Sequence, residues 1–217
     1  MKLVSKYISK MPANITCHQF CIQISRHFAD ATSFFGGWFR GRGLLSDPVD
    51  RLAASAIIFS RLHREIWMIG DCQCLVNGEF FDNPKPYEAS LASKRAEIIR
   101  QSPNRDDFLV HDSAREAILP EMMRIMREKQ NINYAVIDGT RIPEEHVRIL
   151  TLDFQPKEIV LASDGYPFLH PTLEESEKAL ARQLVDDPLN IGTFQATKAF
   201  MKGNNSFDDR AYIRFKV

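Results

Sequence analysis

Apolar residues Ile15, Phe20, Ile22, Ile24, Phe28 and Phe34 recur at helical spacing and predict a helix over residues 15–35. Asn14 is the expected N-cap, and Gly36-Gly37 the expected stop. Residues 36–50 are rich in Gly and read as a loop. The period then changes. Ala54–Arg61 and Glu65–Val76 are apolar, β-prone runs around a tight turn at His63-Arg64. Asn77-Gly78 is a strong hairpin signal, because both residues accept positive φ, and Glu79–Phe81 is the expected third strand.

Residues 82–86 (DNPKP) break this meander, and helix is expected over Tyr87–Gln101. Asp106–Gln130 is helical in pattern, with Pro120 expected to open a second helix at its first position. Strands are expected at Asn133–Ile137, His146–Leu152 and Glu158–Ser163, with Asp138-Gly139 as the turn between the first two. Thr172 and Glu175 spell a capping box for a helix to about Asp186. A last helix is expected over Leu189–Lys202 with Gly203 as its C-cap, and Arg210–Val217 alternates as a final strand. The pattern fits one α+β domain over 1–217, a layered α-β-β-α sandwich of two antiparallel sheets flanked by helices.

Composition narrows the function classes. The 217 residues include 28 basic and 28 acidic side chains, so no polybasic nucleic-acid binder is expected. Residues 1–46 are locally basic, with Lys2, Lys6, Lys10, Arg26, Arg40 and Arg42 against Asp30 alone. This patch reads as a solvated face, with phosphate on a substrate or lipid as the other reading. No apolar run approaches the ~20 residues of a membrane span. No apolar stretch follows the N-terminal lysines as a secretory signal requires. Four cysteines make no disulfide scaffold, so a reducing, cytoplasmic setting is expected.

Acidic residues recur at strand ends: Asp71, Asp138, Asp164 and the pair Asp208-Asp209. Asp164 follows one expected strand and Asp208 precedes another. If those strands are antiparallel neighbours, both carboxylates lie on one sheet edge. Two hard oxygen ligands there suit Mg²⁺ or Mn²⁺, and Gly165 lets the backbone approach an ion. Strand-end Asp-Gly is also ordinary turn chemistry.

Other constellations are weaker. Cys17 and Cys21, with Cys72 and Cys74, lack paired zinc spacing and are expected to be buried free thiols. The histidines at 18, 27, 63, 111, 146 and 170 form no metal or triad pattern. An N-terminal-nucleophile hydrolase needs Thr, Ser or Cys at its mature start, and Met1-Lys2-Leu3 offers none without processing. Met122, Met123 and Met126 are expected in the core. Trp38, Phe39, Arg40 and Arg42 lie in the Gly-rich segment, which could flank a site.

Three segments in order carry a family resemblance. Ala53–Val76, with its Ile69-Gly70-Asp71-Cys72 turn, resembles the central hairpin of the metal-dependent protein phosphatases, the PPM or type 2C family. Glu158–Tyr166 (EIVLASDGY) is similar to that family's Leu-Ala-Ser-Asp-Gly motif, and Ser206–Phe215 (SFDDRAYIRF) to its closing Asp-Asn-Val-Thr strand. The resemblance covers about residues 50–217. It implies that Asp164 and Asp208 are metal ligands, that Asp209 replaces an Asn and Ala211 a Thr, and that Asp71 is structural. It implies hydrolysis of phosphoserine or phosphothreonine in a phosphoprotein by water activated on two Mn²⁺ or Mg²⁺ ions.

The resemblance is to a divergent branch. The family carries two further acidic motifs ahead of its first long helix, and residues 1–50 match neither; their only acids are Asp30, Asp47 and Asp50. Asp138-Gly139 resembles the missing Asp-Gly only superficially, and a hairpin turn is expected there. Three readings therefore stand: a phosphatase, a non-catalytic PPM-like module that binds a partner or phosphate, or a chain whose true start lies upstream. Missing strands would uncover a sheet edge open to self-association.

Overall fold

A computed structural model describes residues 2–39 and 46–217. Met1, Arg40 and Arg42 lie outside the described residues. The protein is α+β with two antiparallel sheets, as its pattern predicts. The chain divides into two compact units, one of residues 1–72 and 125–155, the other of 73–124 and 156–217.

The first unit opens with α1 (Lys2–Ile8) and α2 (Cys17–Phe39). The cap of α2 is Thr16, not Asn14. The Gln19 amide donates to Thr16 Oγ1 at 3.2 Å, and Thr16 N donates back to Gln19 Oε1 at 3.1 Å. The helix also runs through Gly36-Gly37 to Phe39, so Trp38 and Phe39 end a helix and do not start a loop. Glycine weakens a helix by only about 1 kcal/mol per residue and does not have to stop one. Phe20, Ile24 and Phe28, at i, i+4 and i+8, bury one face of α2 in a core with Trp67, Ile69, Ile137 and Ile142.

The first sheet runs β1-β2-β5, all antiparallel, from β1 (Ala56–Ser60), β2 (Glu65–Ile69) and β5 (Arg148–Thr151). Arg64, at φ 54°, makes the tight turn between β1 and β2. The expected long strand Glu65–Val76 is broken at Gly70, whose φ is 82°. Its second half, β3 (Gln73–Val76), belongs to the other sheet. Residues 133–137 form no strand; single bridges join Gln130 to Tyr134 and Ala54 to Ile137.

The second unit holds the sheet β4-β3-β6-β7, with β4 (Glu79–Asp82), β6 (Glu158–Ala162) and β7 (Tyr212–Lys216), again antiparallel. Asn77 and Gly78, at φ 51° and 84°, make the hairpin between β3 and β4. The central strands are buried on both faces, from Cys74 and Leu75 to Ile159, Val160 and Leu161.

The helices of this unit are α3 (Glu88–Gln101), α5 (Leu173–Asp186) and the part of α4 (Ser113–Lys129) up to Arg124. Pro120 sits inside α4 and opens no second helix. Instead, Asp112 caps α4 by accepting from Arg115 N at 2.9 Å. Residues 106–109 form a single 3-10 turn ahead of it. Thr172 and Glu175 cap α5 as expected, with Glu175 N donating to Thr172 Oγ1 at 3.2 Å. Residues 189–202 are not helical. Asp187 Oδ2 takes Ile191 N at 3.0 Å and Gly192 N at 2.7 Å, and Asn190 sits at φ 52°. These contacts hold the segment in turns, and Gly203, at φ 95°, lies in a turn and caps no helix.

Candidate functional site

The sequence-predicted carboxylates sit where β6 ends and β7 begins. The ladder pairs Ala162 with Tyr212. One step further, Ser163 N donates to Ala211 O at 3.1 Å, and Ala211 N donates to Ser163 Oγ at 3.0 Å. Asp164 and the 208–210 segment therefore leave the ladder at the same edge, the juxtaposition the antiparallel pattern predicts.

Gly165 closes this corner. A Cβ there would lie 2.3 Å from the Asp209 carbonyl oxygen and 2.8 Å from Arg210 Cβ. Only glycine lets the two strand ends approach so closely. Asp164 and Asp209 are exposed and Asp208 is half-buried. Asp208 Oδ1 accepts from Asp209 N at 2.9 Å, and its Oδ2 pairs with Lys198 Nζ at 2.5 Å.

Beside these acids lies a cleft of about 800 Å³, lined among others by Tyr166, Glu177, Asp208, Asp209 and Arg210. Glu177, on α5, is its hub. Its Oε1 accepts from Tyr166 Oη at 2.7 Å and from Arg210 Nε at 2.7 Å, and its Oε2 accepts from Arg210 Nη2 at 2.8 Å. The guanidinium of Arg210 holds the Glu177 carboxyl below the usual range. Burial, and then the facing Glu177 carboxylate, push the Tyr166 phenol up to about 12. This triad was not predicted from the sequence. Tyr166 follows the Asp-Gly motif directly, but no spacing links it to a glutamate on the next helix.

A hard divalent ion calls for oxygen donors, and Asp164 and the Asp208-Asp209 pair stand at one sheet edge, with Asp208 Oδ2 engaged by Lys198. A hydrated ion would complete its shell with water. Among the described residues, no three His, Cys, Asp or Glu side chains gather to hold a metal, Asp164, Asp208 and Asp209 included.

The other sequence candidates lie elsewhere. All four cysteines are buried and free. Cys17, its hydrogen-bond partner, and then burial raise the Cys21 thiol far above its ordinary value. Asp71 Oδ1 accepts from Ser55 Oγ at 2.5 Å in the first unit, outside the β6–β7 edge. The histidines scatter: His18 pairs with Glu144, His111 with Glu116, and His63 faces Asn14 O. Met122, Met123 and Met126 are half-buried, outside the predicted core, on a helix with only Ala114 and Ile118 fully buried.

Asp138 is no hairpin turn but a buried hub. It accepts from Asn131 Nδ2 at 2.8 Å, Thr140 N at 2.9 Å, Gln130 Nε2 at 2.9 Å and Arg51 Nη1 at 3.1 Å. These donors saturate the carboxylate and leave it no lone pair for an ion. Among the described residues, no helix is long and apolar enough to cross a membrane. Compared with models of known protein families, with curated proteins and with solved structures, the chain finds no match.

Proposed function

We propose that the chain is a PPM-like module hydrolysing phosphoserine or phosphothreonine, with Asp164 and Asp208 holding Mn²⁺ or Mg²⁺ at the β6–β7 edge. The observation that supports this reading is the register of those strands, which leaves Asp164 and Asp208 at one sheet edge, with Gly165 against the Asp209 backbone. A bound divalent ion polarises a phosphoryl group and lowers the pKa of water. The chain's own residues hold and orient. Asp164 and Asp208 supply hard oxygens, Asp209 adds negative charge beside them, and Gly165 keeps the corner clear. Arg210, braced on Glu177, presents a cation on the cleft wall, where a phosphoryl oxygen is a fitting partner.

A second reading, a PPM-like module that binds without hydrolysing, is favoured by the ion pair between Lys198 and Asp208. The ammonium competes with a metal for that carboxylate. In either reading the partner is a phosphoprotein, the setting is cytoplasmic and reducing, nucleic acid is no partner, and the β4 and β7 edges are open to a second copy.

The test is hydrolysis of p-nitrophenyl phosphate by the folded chain with Mn²⁺ and with EDTA. Turnover that needs Mn²⁺ and is lost in Asp164→Asn supports the phosphatase. A folded, inactive chain supports the binding module. Turnover unchanged in Asp164→Asn overturns the ligand assignment.

A further inference from the structure

We propose that a second cleft, in the first unit between α2 and residues 139–144, binds a small organic phosphate monoester. This inference is independent of the β6–β7 site. The cleft has a volume of about 600 Å³, within the range of small-molecule pockets and too large for a bare phosphate.

Two cations on its wall offer an anion partners. Arg26 and Arg141 both line it, both are exposed, and neither has a hydrogen bond or ion pair among the described residues. In the wall, Ser25 is 7% exposed, and its Oγ is buried without a hydrogen-bond partner. Buried hydroxyls are normally paired, so this one is an unmet group that a ligand oxygen would satisfy. Two guanidinium groups match the charge of roughly −2 on a phosphate monoester, and their planar donors suit its oxygens.

The rest of the lining defines the body of the ligand. Ile22 and Ile142 give the cleft apolar surface, which calls for an organic group behind the phosphoryl head. Gly139, at φ 89°, keeps the loop close over α2; a Cβ there would meet the Ala29 backbone at 3.1 Å. Two carboxylates also face the cleft. Glu144 is engaged by His18 at 2.5 Å. Asp30 lies one helical turn beyond Arg26 and opposes an anion, so its removal should strengthen binding.

The experiment is calorimetric titration of the full chain with phenyl phosphate in EDTA, with inorganic phosphate and phenol as separate arms. Phenyl phosphate should bind more tightly than either. Arg26→Gln and Arg141→Gln should each weaken it about tenfold, the loss of one charge-assisted contact. Asp30→Asn should tighten it. Both arginines are exposed, so circular dichroism should find these variants folded. Phenyl phosphate should also shift the amide resonances of Ser25 and Gly139. No binding to the folded chain at millimolar phenyl phosphate overturns the proposal. So does equal affinity in the Arg26→Gln, Arg141→Gln double variant. Inorganic phosphate binding as tightly as phenyl phosphate overturns the organic body.

Discussion

Ser55 Oγ donates to Asp71 Oδ1 at 2.5 Å, where the chain leaves β2. Gly70 lies directly against the same serine: a Cβ on it would sit 2.2 Å from Ser55 Oγ and 2.7 Å from Ser55 Cβ. The Gly-Asp pair is thus the device that ends β2. Gly70→Ala meets two costs, a positive φ of 82° and a collision with a half-buried side chain. Strain of about 1–3 kcal/mol for the backbone alone is expected. Urea denaturation should show the midpoint falling accordingly, whereas Gly78→Ala, whose Cβ meets nothing within 4 Å, should lose only the backbone part. Equal losses in the two variants would remove Ser55 from the explanation.

Asp138 predicts a pH dependence. Burial works against its charge, but hydrogen bonds from Thr140, Gln130 and Arg51 outweigh it and hold the carboxyl below the ordinary range. Its folded pKa is therefore lower than its unfolded one, near 3.9. The stability it contributes is complete above the unfolded value and is lost as pH falls through the folded value. Asp138→Asn keeps the size but discards the charge facing Arg51, and should cost about 3–5 kcal/mol at pH 7. Measured from pH 7 to 2, the variant should show a shallower acid loss than the parent. A parallel pair of curves would assign that acid sensitivity to other groups.

Arg95 and Asp112 give a prediction in the second unit. Arg95 is wholly buried, with Nη2 2.8 Å from Asp112 Oδ2 and Nη1 donating to Leu189 O at 2.8 Å. Burial lowers the guanidinium pKa, and the Asp112 carboxylate opposes that shift. Removing either partner strands a buried charge at a cost of about 3–5 kcal/mol. Arg95→Met with Asp112→Asn should cost less than the sum of the two single variants, measured as a double-mutant cycle in urea. Strict additivity would mean that the two side chains act independently.

Local chemistry made part of this fold legible. Asn77-Gly78 and the Thr172 capping box are short-range signals whose physics does not depend on the rest of the chain, whereas the shared edge of Asp164 and Asp208 follows only once β6 and β7 pair antiparallel. Thr16 and Gln19 spell the same box as Thr172 and Glu175, and a reading that stops at Asn14 overlooks it. Residues 189–202 misled for a different reason. Their apolar spacing suits a helix, but the side chains of Asp187 and Asn190 satisfy nearby backbone groups and hold turns instead. The donors that gather on Asp138, and the Tyr166–Glu177–Arg210 triad, join residues with no sequence period between them. Such convergence is a product of tertiary structure.

Lys198 separates the two functional readings. Its ammonium lies 2.5 Å from Asp208 Oδ2, and both side chains are partly exposed, so the pair contributes only about 0–1 kcal/mol to stability. Lys198→Met should therefore leave the fold intact while removing a competing cation from the carboxylate. If Asp164 and Asp208 hold a divalent ion, the variant should bind Mn²⁺ more tightly, by a factor of about five from the loss of one nearby positive charge. Titration calorimetry with Mn²⁺ reads this directly, and Asp208→Asn in the same assay should abolish binding. Were Lys198→Met instead to leave Mn²⁺ affinity unchanged while abolishing capture of a phosphopeptide, the lysine would be a phosphate ligand and the corner a binding site without catalysis.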